Sequence, residues 1–339
     1  MAQVATPRFY VNVVEWLDSL GMSTELSRYT HYGSGGVGEA AVQQLPMSFW
    51  HLKSASISRT LRMNNVTGSD NLRYISIPPQ GVSLADSIGS NGFWAILGHD
   101  FSSWDDFIIN LNPSVVNTGL SQSRVVNWNG RYSPVPYSGF SIATCDLSGS
   151  STPPDNTPVG GIFQMQSGDL SDLNPAINCI VLGSYHDMSH AVDLNLTMTR
   201  EYGGVKTIET RGGSSLSNTF YTKPPKWGER EAWQLGDKDF SAGGRRIFDL
   251  SFSYLSDSSV FPDNPTEIGD GDGWEVDETT PDFISEVLKK TRGSMLPFIF
   301  QPNTDENIFA ICKFDQNSFS FQQQSPNLYS CKVRIRECW

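Results

Sequence analysis

Residues 245–255 read RRIFDLSFSYL, with apolar side chains at alternate positions. Every second residue from Phe248 to Tyr254 is apolar and its neighbours are polar, a period of two that predicts a strand with one buried and one wetted face. The same period runs through residues 192–199 and 329–336. We therefore expect three antiparallel strands in the last third of the chain, and an all-β fold class.

One helix is expected downstream of the first of these strands, over residues 281–292. Thr280 can cap its first turn, Pro281 suits the first helical position and Gly293 is placed to end it. The apolar stripe of the helix consists of Phe283, Ile284, Val287 and Leu288. No other long helix is predicted.

The middle of the chain, residues 49–184, shows a different pattern. Strand-sized apolar runs such as 93–97 and 107–111 are separated by Gly, Ser, Asn and Pro. Many short strands with turn residues between them are typical of a β-sandwich or jelly roll. The first 48 residues are ambiguous, although residues 9–14 could form a strand.

Composition narrows the classes of function. The 339 residues carry a net charge of −12, which disfavours stable binding to nucleic acid because phosphates are held by Lys and Arg. Only 18% of residues are charged, and such low charge suits surfaces that meet other subunits. No apolar run approaches the roughly 18 residues of a membrane span, and Met1 to Tyr10 lack the order of a signal peptide. We expect a protein made in a cytoplasm, with no membrane insertion.

Several short motifs resemble chemical sites but fit loops better. The glycines of residues 33–38 match a dinucleotide-binding spacing, yet Leu45-Pro46 cuts short the helix that this site requires. His186 and His190 are spaced like a metal pair but are expected in a loop between strands. Residues 270–273 begin like a calcium loop and then lack its ligands. The five cysteines show no C-x-x-C spacing, so we expect reduced, inert thiols, no metal and no cofactor.

A sugar-binding site is an alternative for the middle segment. Exposed aromatic rings can stack on sugars and a carboxylate can accept from their hydroxyls, although core packing accounts for such rings equally simply. The candidates are Trp94, Asp100, Trp104, Trp128 and Tyr132. A glycoside hydrolase would need two carboxylates close in space. The sequence singles out no such pair among 36 acidic residues, so no catalytic residue is predicted.

The last hundred residues resemble the distal-tail and minor-tail proteins of long-tailed bacteriophages. The resemblance rests on the order of a strand, a helix, a Gly-x-x-x-Pro-Phe turn, a hairpin and a last strand that ends in an acidic residue. These features occupy residues 245–255, 281–293, 296–302, 309–312 and 327–337.

A second resemblance lies upstream. Residues 93–101 (FWAILGHDF) and 177–183 (INCIVLG) resemble motifs of galactose-binding-like jelly-roll modules found inside phage tail proteins. Those modules often carry Asn where this chain has Asp100, which weakens the sugar-binding inference more than the fold inference.

The two resemblances imply a domain organisation and a function. Residues 1–48 and 185–339 would form a split β-barrel of the tail-tube type, with residues 49–184 inserted as a jelly roll. Proteins of this family form homo-oligomeric rings in the virion, usually hexamers, which join the tail tube to other tail-tip proteins and let DNA pass. The alternatives are a glycan-binding adhesion module that contacts host surface glycan and, last, a polysaccharide depolymerase.

Overall fold

The structure is a computed structural model that describes most of the C-terminal half and separate segments of the N-terminal half. The described residues are 6–21, 27–32, 40–45, 47–52, 61–62, 71–77, 88–97, 107–112, 124–127, 140–145, 161–167, 176–201, 205–219, 226–227, 230–231, 245–261, 282–306 and 308–338.

Strands dominate the described residues, which confirms the all-β fold class. The strands are β1 (Arg8–Asn12), β2 (Ser27–Tyr32), β3 (Ala40–Leu45), β4 (Leu61–Arg62), β5 (Asn71–Ile77), β6 (Gly92–Leu97), β7 (Phe107–Asn112), β8 (Arg124–Asn127), β9 (Phe140–Cys145), β10 (Gly161–Ser167), β11 (Ala176–Ile177), β12 (Cys179–Asp187), β13 (Thr197–Glu201), β14 (Val205–Glu209), β15 (Ser215–Thr219), β16 (Lys226–Trp227), β17 (Arg230–Glu231), β18 (Arg245–Ser256), β19 (Phe298–Gln301), β20 (Ala310–Phe314), β21 (Phe321–Ser325) and β22 (Leu328–Glu337). The helical elements are α1 (Val13–Ser19), a 3-10 helix (Met47–Trp50), α2 (Asp257–Val260) and a π-helix (Ile284–Lys289).

Ten of these strands form one antiparallel sheet in the order β13-β18-β22-β20-β19-β1-β12-β6-β9, with β21 pairing β22 beside β20. A second antiparallel sheet has the order β3-β2-β5-β10-β7-β8. Three two-stranded ribbons pair β11 with β4, β14 with β15 and β16 with β17.

The centre of the large sheet is buried on both faces. Phe9 and Phe300 face one apolar cluster, which also receives Phe283 from the segment before the π-helix. The neighbouring residues Tyr10 and Ile299 face a second cluster on the opposite side of the sheet, shared with β6, β9 and β12. Since successive side chains of a strand point to opposite faces, β1 and β19 each contribute side chains to both clusters.

Two of the three predicted strands carry the expected pattern. Cys331, Val333 and Ile335 of β22 are buried and their neighbours are more exposed. In β18 the alternation holds as far as Phe252, where the pairing with β22 shifts register before Leu255. This irregularity turns Tyr254 out to 64% exposure and Leu255 in to 1%.

The third strand prediction is wrong over residues 192–196. The Leu196 N–H donates to the Asp193 carbonyl at 3.2 Å, so a turn precedes β13, which begins only at Thr197. Val192 is buried, whereas the three apolar residues that should follow it inward are exposed. A period of two therefore marks a turn and a short edge strand here.

The helix prediction is confirmed in place and corrected in type. Residues 284–289 form a π-helix, and the Gly293 N–H reaches back five residues to the Leu288 carbonyl at 2.8 Å. Gly293 has a positive φ of 67°, which explains its position at the end of the helix. The cap is Asp282, whose Oδ1 accepts from the Ser285 N–H at 2.8 Å. Thr280 and Pro281 lie outside the described residues.

Strand pairing crosses the predicted domain borders. The border at residues 184 and 185 falls inside β12, which pairs with β1 along its second half and with β6 along its first. From the N-terminal 48 residues, β1 joins the large sheet, but β2 pairs with β5 of the predicted insertion. The division into a barrel and an insertion remains a prediction about folding units, and the sheets themselves are shared across it.

Candidate assembly surface

The first edge of the large sheet is β13. It pairs with β18 from Thr197↔Asp249 to Glu201↔Arg245 and has no second neighbour among the strands that the structure describes. The edge of a sheet is a natural place for association with another chain.

Apolar side chains accumulate at this edge. Leu194, Leu196 and Met198 are 93%, 45% and 51% exposed, and we call these three residues the edge patch. The turn before β13 directs them away from the core that holds Val192. Exposure of several apolar side chains to water is unfavourable in free energy, so a patch of exposed Leu and Met indicates a contact surface.

The hairpin after β13 repeats this feature. Ile208 and Leu216 are cross-strand partners in β14 and β15, and they are 58% and 61% exposed. The turn between them is closed by a Gly213 N–H donated to the Thr210 carbonyl at 2.9 Å. Directly opposed side chains share a face of the ribbon, so the hairpin presents an apolar pair to its surroundings.

Charges next to the edge are paired within the chain. Arg336 donates to Glu201 of β13 at 2.5 Å. Arg334 lies 3.1 Å from Asp315 and 3.7 Å from Asp249. Both of these arginines therefore have a carboxylate of the same chain beside them.

A buried ion pair holds the two strands behind the edge. Arg246 of β18 donates to Glu337 of β22 through Nε at 2.8 Å and through its terminal nitrogen at 2.5 Å, and its backbone N–H donates at 2.6 Å. Arg246 is 6% exposed and Glu337 is 2% exposed. Burial raises the pKa of the Glu337 carboxyl, and Arg246 acts in the opposite direction. Glu337 is also the acidic residue with which the last strand was expected to end.

The structure places only one of the five sugar-site candidates. Trp94 lies in β6 with 0% exposure, so its ring offers no face to a sugar and belongs to the core. Asp100, Trp104, Trp128 and Tyr132 lie outside the described residues.

The histidine pair is corrected in part. His186 is not in a loop: β12 continues to Asp187, and His186 is buried 5.9 Å from the ring of Phe283. Burial lowers the pKa of His186, although the carboxylates of Glu286 and Asp187 act in the opposite direction. His190 is exposed next to Ser189. Across the described ranges, no cluster of His, Cys, Asp or Glu could hold a metal ion.

The other motifs are only partly placed. The glycines of residues 33–38 lie outside the described residues, but they connect β2 to β3, a strand where a dinucleotide site would need a helix. The acidic residues 270–273 are not described. Cys179, Cys312, Cys331 and Cys338 are free, and burial raises the pKa of Cys331 and Cys338 to about 12. Such thiols stay protonated and unreactive near neutral pH.

Comparisons of the chain with protein-family models, curated proteins and solved structures gave no match. In the part of the chain that the structure describes, no helix has the length and apolar character needed to cross a membrane.

Proposed function

We propose that this chain is a non-enzymatic structural protein of a bacteriophage tail tip. Its copies form a ring, of six in the usual arrangement, that joins the tail tube to the host-recognition apparatus. Within this proposal the C-terminal strands belong to a split β-barrel of the tail-tube type, and residues 49–184 belong to a jelly roll that projects from it.

The edge patch is the observation that supports assembly. A strand edge with three exposed apolar side chains beside it favours association with another surface. The opposite edge of the sheet, β9, has a different character, since Phe140 and Ile142 are buried. A contact between β13 of one copy and a different surface of the next copy would be heterologous, and heterologous contacts that close produce rings.

Charge supports the passage of DNA through such a ring. With a net charge of −12, the subunits repel the phosphates of DNA on average, which disfavours stable binding. Beside β13, Arg334 and Arg336 already have carboxylates of the same chain as partners, so they are not left to hold phosphates.

The test is the oligomeric state of the purified chain, measured by light scattering after size-exclusion chromatography and by negative-stain electron microscopy. We expect closed rings. Leu194→Glu should yield monomers with an unchanged circular dichroism spectrum, because a side chain that is 93% exposed contributes nothing to the fold.

Met295→Glu is the matched control. Met295 is 50% exposed in the turn that follows the π-helix, where the neighbouring Arg292 donates to the Ser19 carbonyl of α1, and its replacement should leave the rings intact. A wild-type chain that stays monomeric at every attainable concentration would contradict the proposal. If the purified chain forms rings but the virions of the phage that carries this gene lack the protein, only the tail assignment would be contradicted.

A further inference from the structure

A groove runs over the outer face of the C-terminal strands, on the side of the sheet opposite the core. It encloses about 630 Å³, within the roughly 300–1,000 Å³ of small-molecule sites. Its floor is formed by β18 and β22, where Ser251 pairs with Lys332. β21 forms one wall, where Gln322 pairs with Ser330, and the turn before β13 forms the other.

The chemistry of this groove is almost entirely uncharged and polar. Amide side chains come from Asn195, Gln322 and Gln324, and hydroxyls come from serines of β18 and β22 and from Ser320, just before β21. One acid, Asp193, and one base, Lys332, balance each other. Amides and hydroxyls both donate and accept hydrogen bonds, as the hydroxyls of a sugar do.

Existing hydrogen bonds hold several of these groups in position. Gln324 Nε2 donates to Ser330 Oγ at 2.8 Å, and Ser253 Oγ donates to Asp193 Oδ2 at 2.6 Å. The residues behind the floor, Phe252 and Cys331, are 0% and 2% exposed in the core. The core holds the strands of the floor in place and hydrogen bonds hold the polar side chains, so the polar site is preorganised.

One aromatic ring completes the site. The register shift in β18 turns Tyr254 out of the core into the groove, where it is 64% exposed. Bulges commonly re-aim a side chain in this way. A tyrosine beside amides and hydroxyls offers an apolar face for the C–H face of a sugar ring.

We propose that this groove binds a neutral oligosaccharide, with Tyr254 stacking on a sugar ring and Gln322 and Gln324 bonding to its hydroxyls. The balance of one acid against one base favours an uncharged glycan over a uronic or sialic acid. The site lies on the C-terminal sheet, apart from the middle segment, and Tyr254, Gln322 and Gln324 lie outside the edge patch.

The test applies the full-length protein to an array of neutral and acidic oligosaccharides, including glucans, galactans and mannans. Titration calorimetry then follows with the tightest binder. We expect at least one neutral oligosaccharide to bind, and Tyr254→Ala to weaken it about tenfold or more. Tyr254→Phe should retain most of the affinity, since the ring remains.

A single strand supplies the matched control. Gln322→Ala and Gln324→Ala should each weaken binding, whereas Gln323→Ala should not, because Gln323 lies between them in β21 and does not line the groove. The side chains of all the substituted residues are exposed, so the melting temperature of each variant should equal that of the wild type. The substituted residues are Tyr254, Gln322, Gln323 and Gln324. The proposal would be overturned if no neutral glycan bound or if acidic glycans bound more tightly. It would also be overturned if Tyr254→Ala and Gln322→Ala bound the glycan as tightly as the wild type does.

Discussion

At the scale of single residues, the Arg246–Glu337 pair is an interaction of the described sheet that depends on the presence of both charged partners. Two charges withdrawn from water are tolerated only when each satisfies the other, and here the carboxylate takes three N–H donors from one residue. Glu337→Ala would leave the guanidinium buried without its carboxylate. We expect a loss of about 3–5 kcal/mol in the free energy of unfolding, measured by urea denaturation.

Glu201→Ala serves as the comparison, because it removes another Arg–Glu pair between neighbouring parts of the same sheet. The Arg336 and Glu201 side chains are 36% and 42% exposed, so water screens their attraction. The expected loss is about 0–1 kcal/mol. Equal losses for the two variants would show that burial does not set the strength of the Arg246 pair.

His186 gives the fold a dependence on pH. Burial lowers its pKa below the ordinary value of 6.5, so the folded chain holds the ring neutral while the unfolded chain protonates it. Stability is then fully present above pH 6.5 and is lost as the pH falls below it. In His186→Gln, the free energy of unfolding should decline less between pH 7.5 and about pH 5.5. An identical decline in the two proteins would contradict the buried, neutral ring.

At the scale of elements, the register shift in β18 exchanges the roles of two adjacent residues. Leu255 is 1% exposed and fills the core position that a regular strand would give to Tyr254. We expect Leu255→Ala to cost about 2–5 kcal/mol, the usual range for a buried leucine. Tyr254→Ala should cost far less, and chemical denaturation of the pair of variants distinguishes the two. A larger loss for Tyr254→Ala would mean that the strand is regular.

Periodicity predicted those strands that have a paired neighbour on both sides. β18 and β22 lie inside the sheet, so their alternation has one buried face to match. Residues 192–196 show the same alternation at an edge, where none of the strands that the structure describes pairs on the outer side and a turn at Asp193 is the alternative. Periodicity did not predict the edge patch or the groove, because both form where apolar residues depart from the alternation of buried and exposed positions.

The helix illustrates a second limit of local pattern. The stripe of Phe283 and Val287 and the stop at Gly293 were readable from spacing and residue type. The widening to a π-helix was not, since no local pattern distinguishes it from an α-helix and the element packs against the distant strands β1 and β12. Burial of Lys290, held at 2.8 Å by Glu286 and at 3.1 Å by Ser184, likewise needs a distant strand.

At the scale of the whole molecule, the large sheet joins segments that sequence resemblance would separate. β1 lies between β19 of the last third and β12 of the predicted insertion. The fit between β1 and β12 is close, since a Cβ added at Gly183 would lie 1.8 Å from the Val11 carbonyl oxygen. Such contact leaves β12 no freedom to move independently of β1.

Shared strands should make the sheet unfold as one unit. If residues 49–184 were an independent domain, the amides of β6 would exchange with deuterium independently of those of β19. Because β1 and β12 connect β6 to β19, we expect both sets to exchange with the same free energy of opening, and Gly183→Ala to lower both together. Native-state hydrogen exchange measures each set directly. Protection lost in β6 but kept in β19 would show that residues 49–184 unfold as a separate unit.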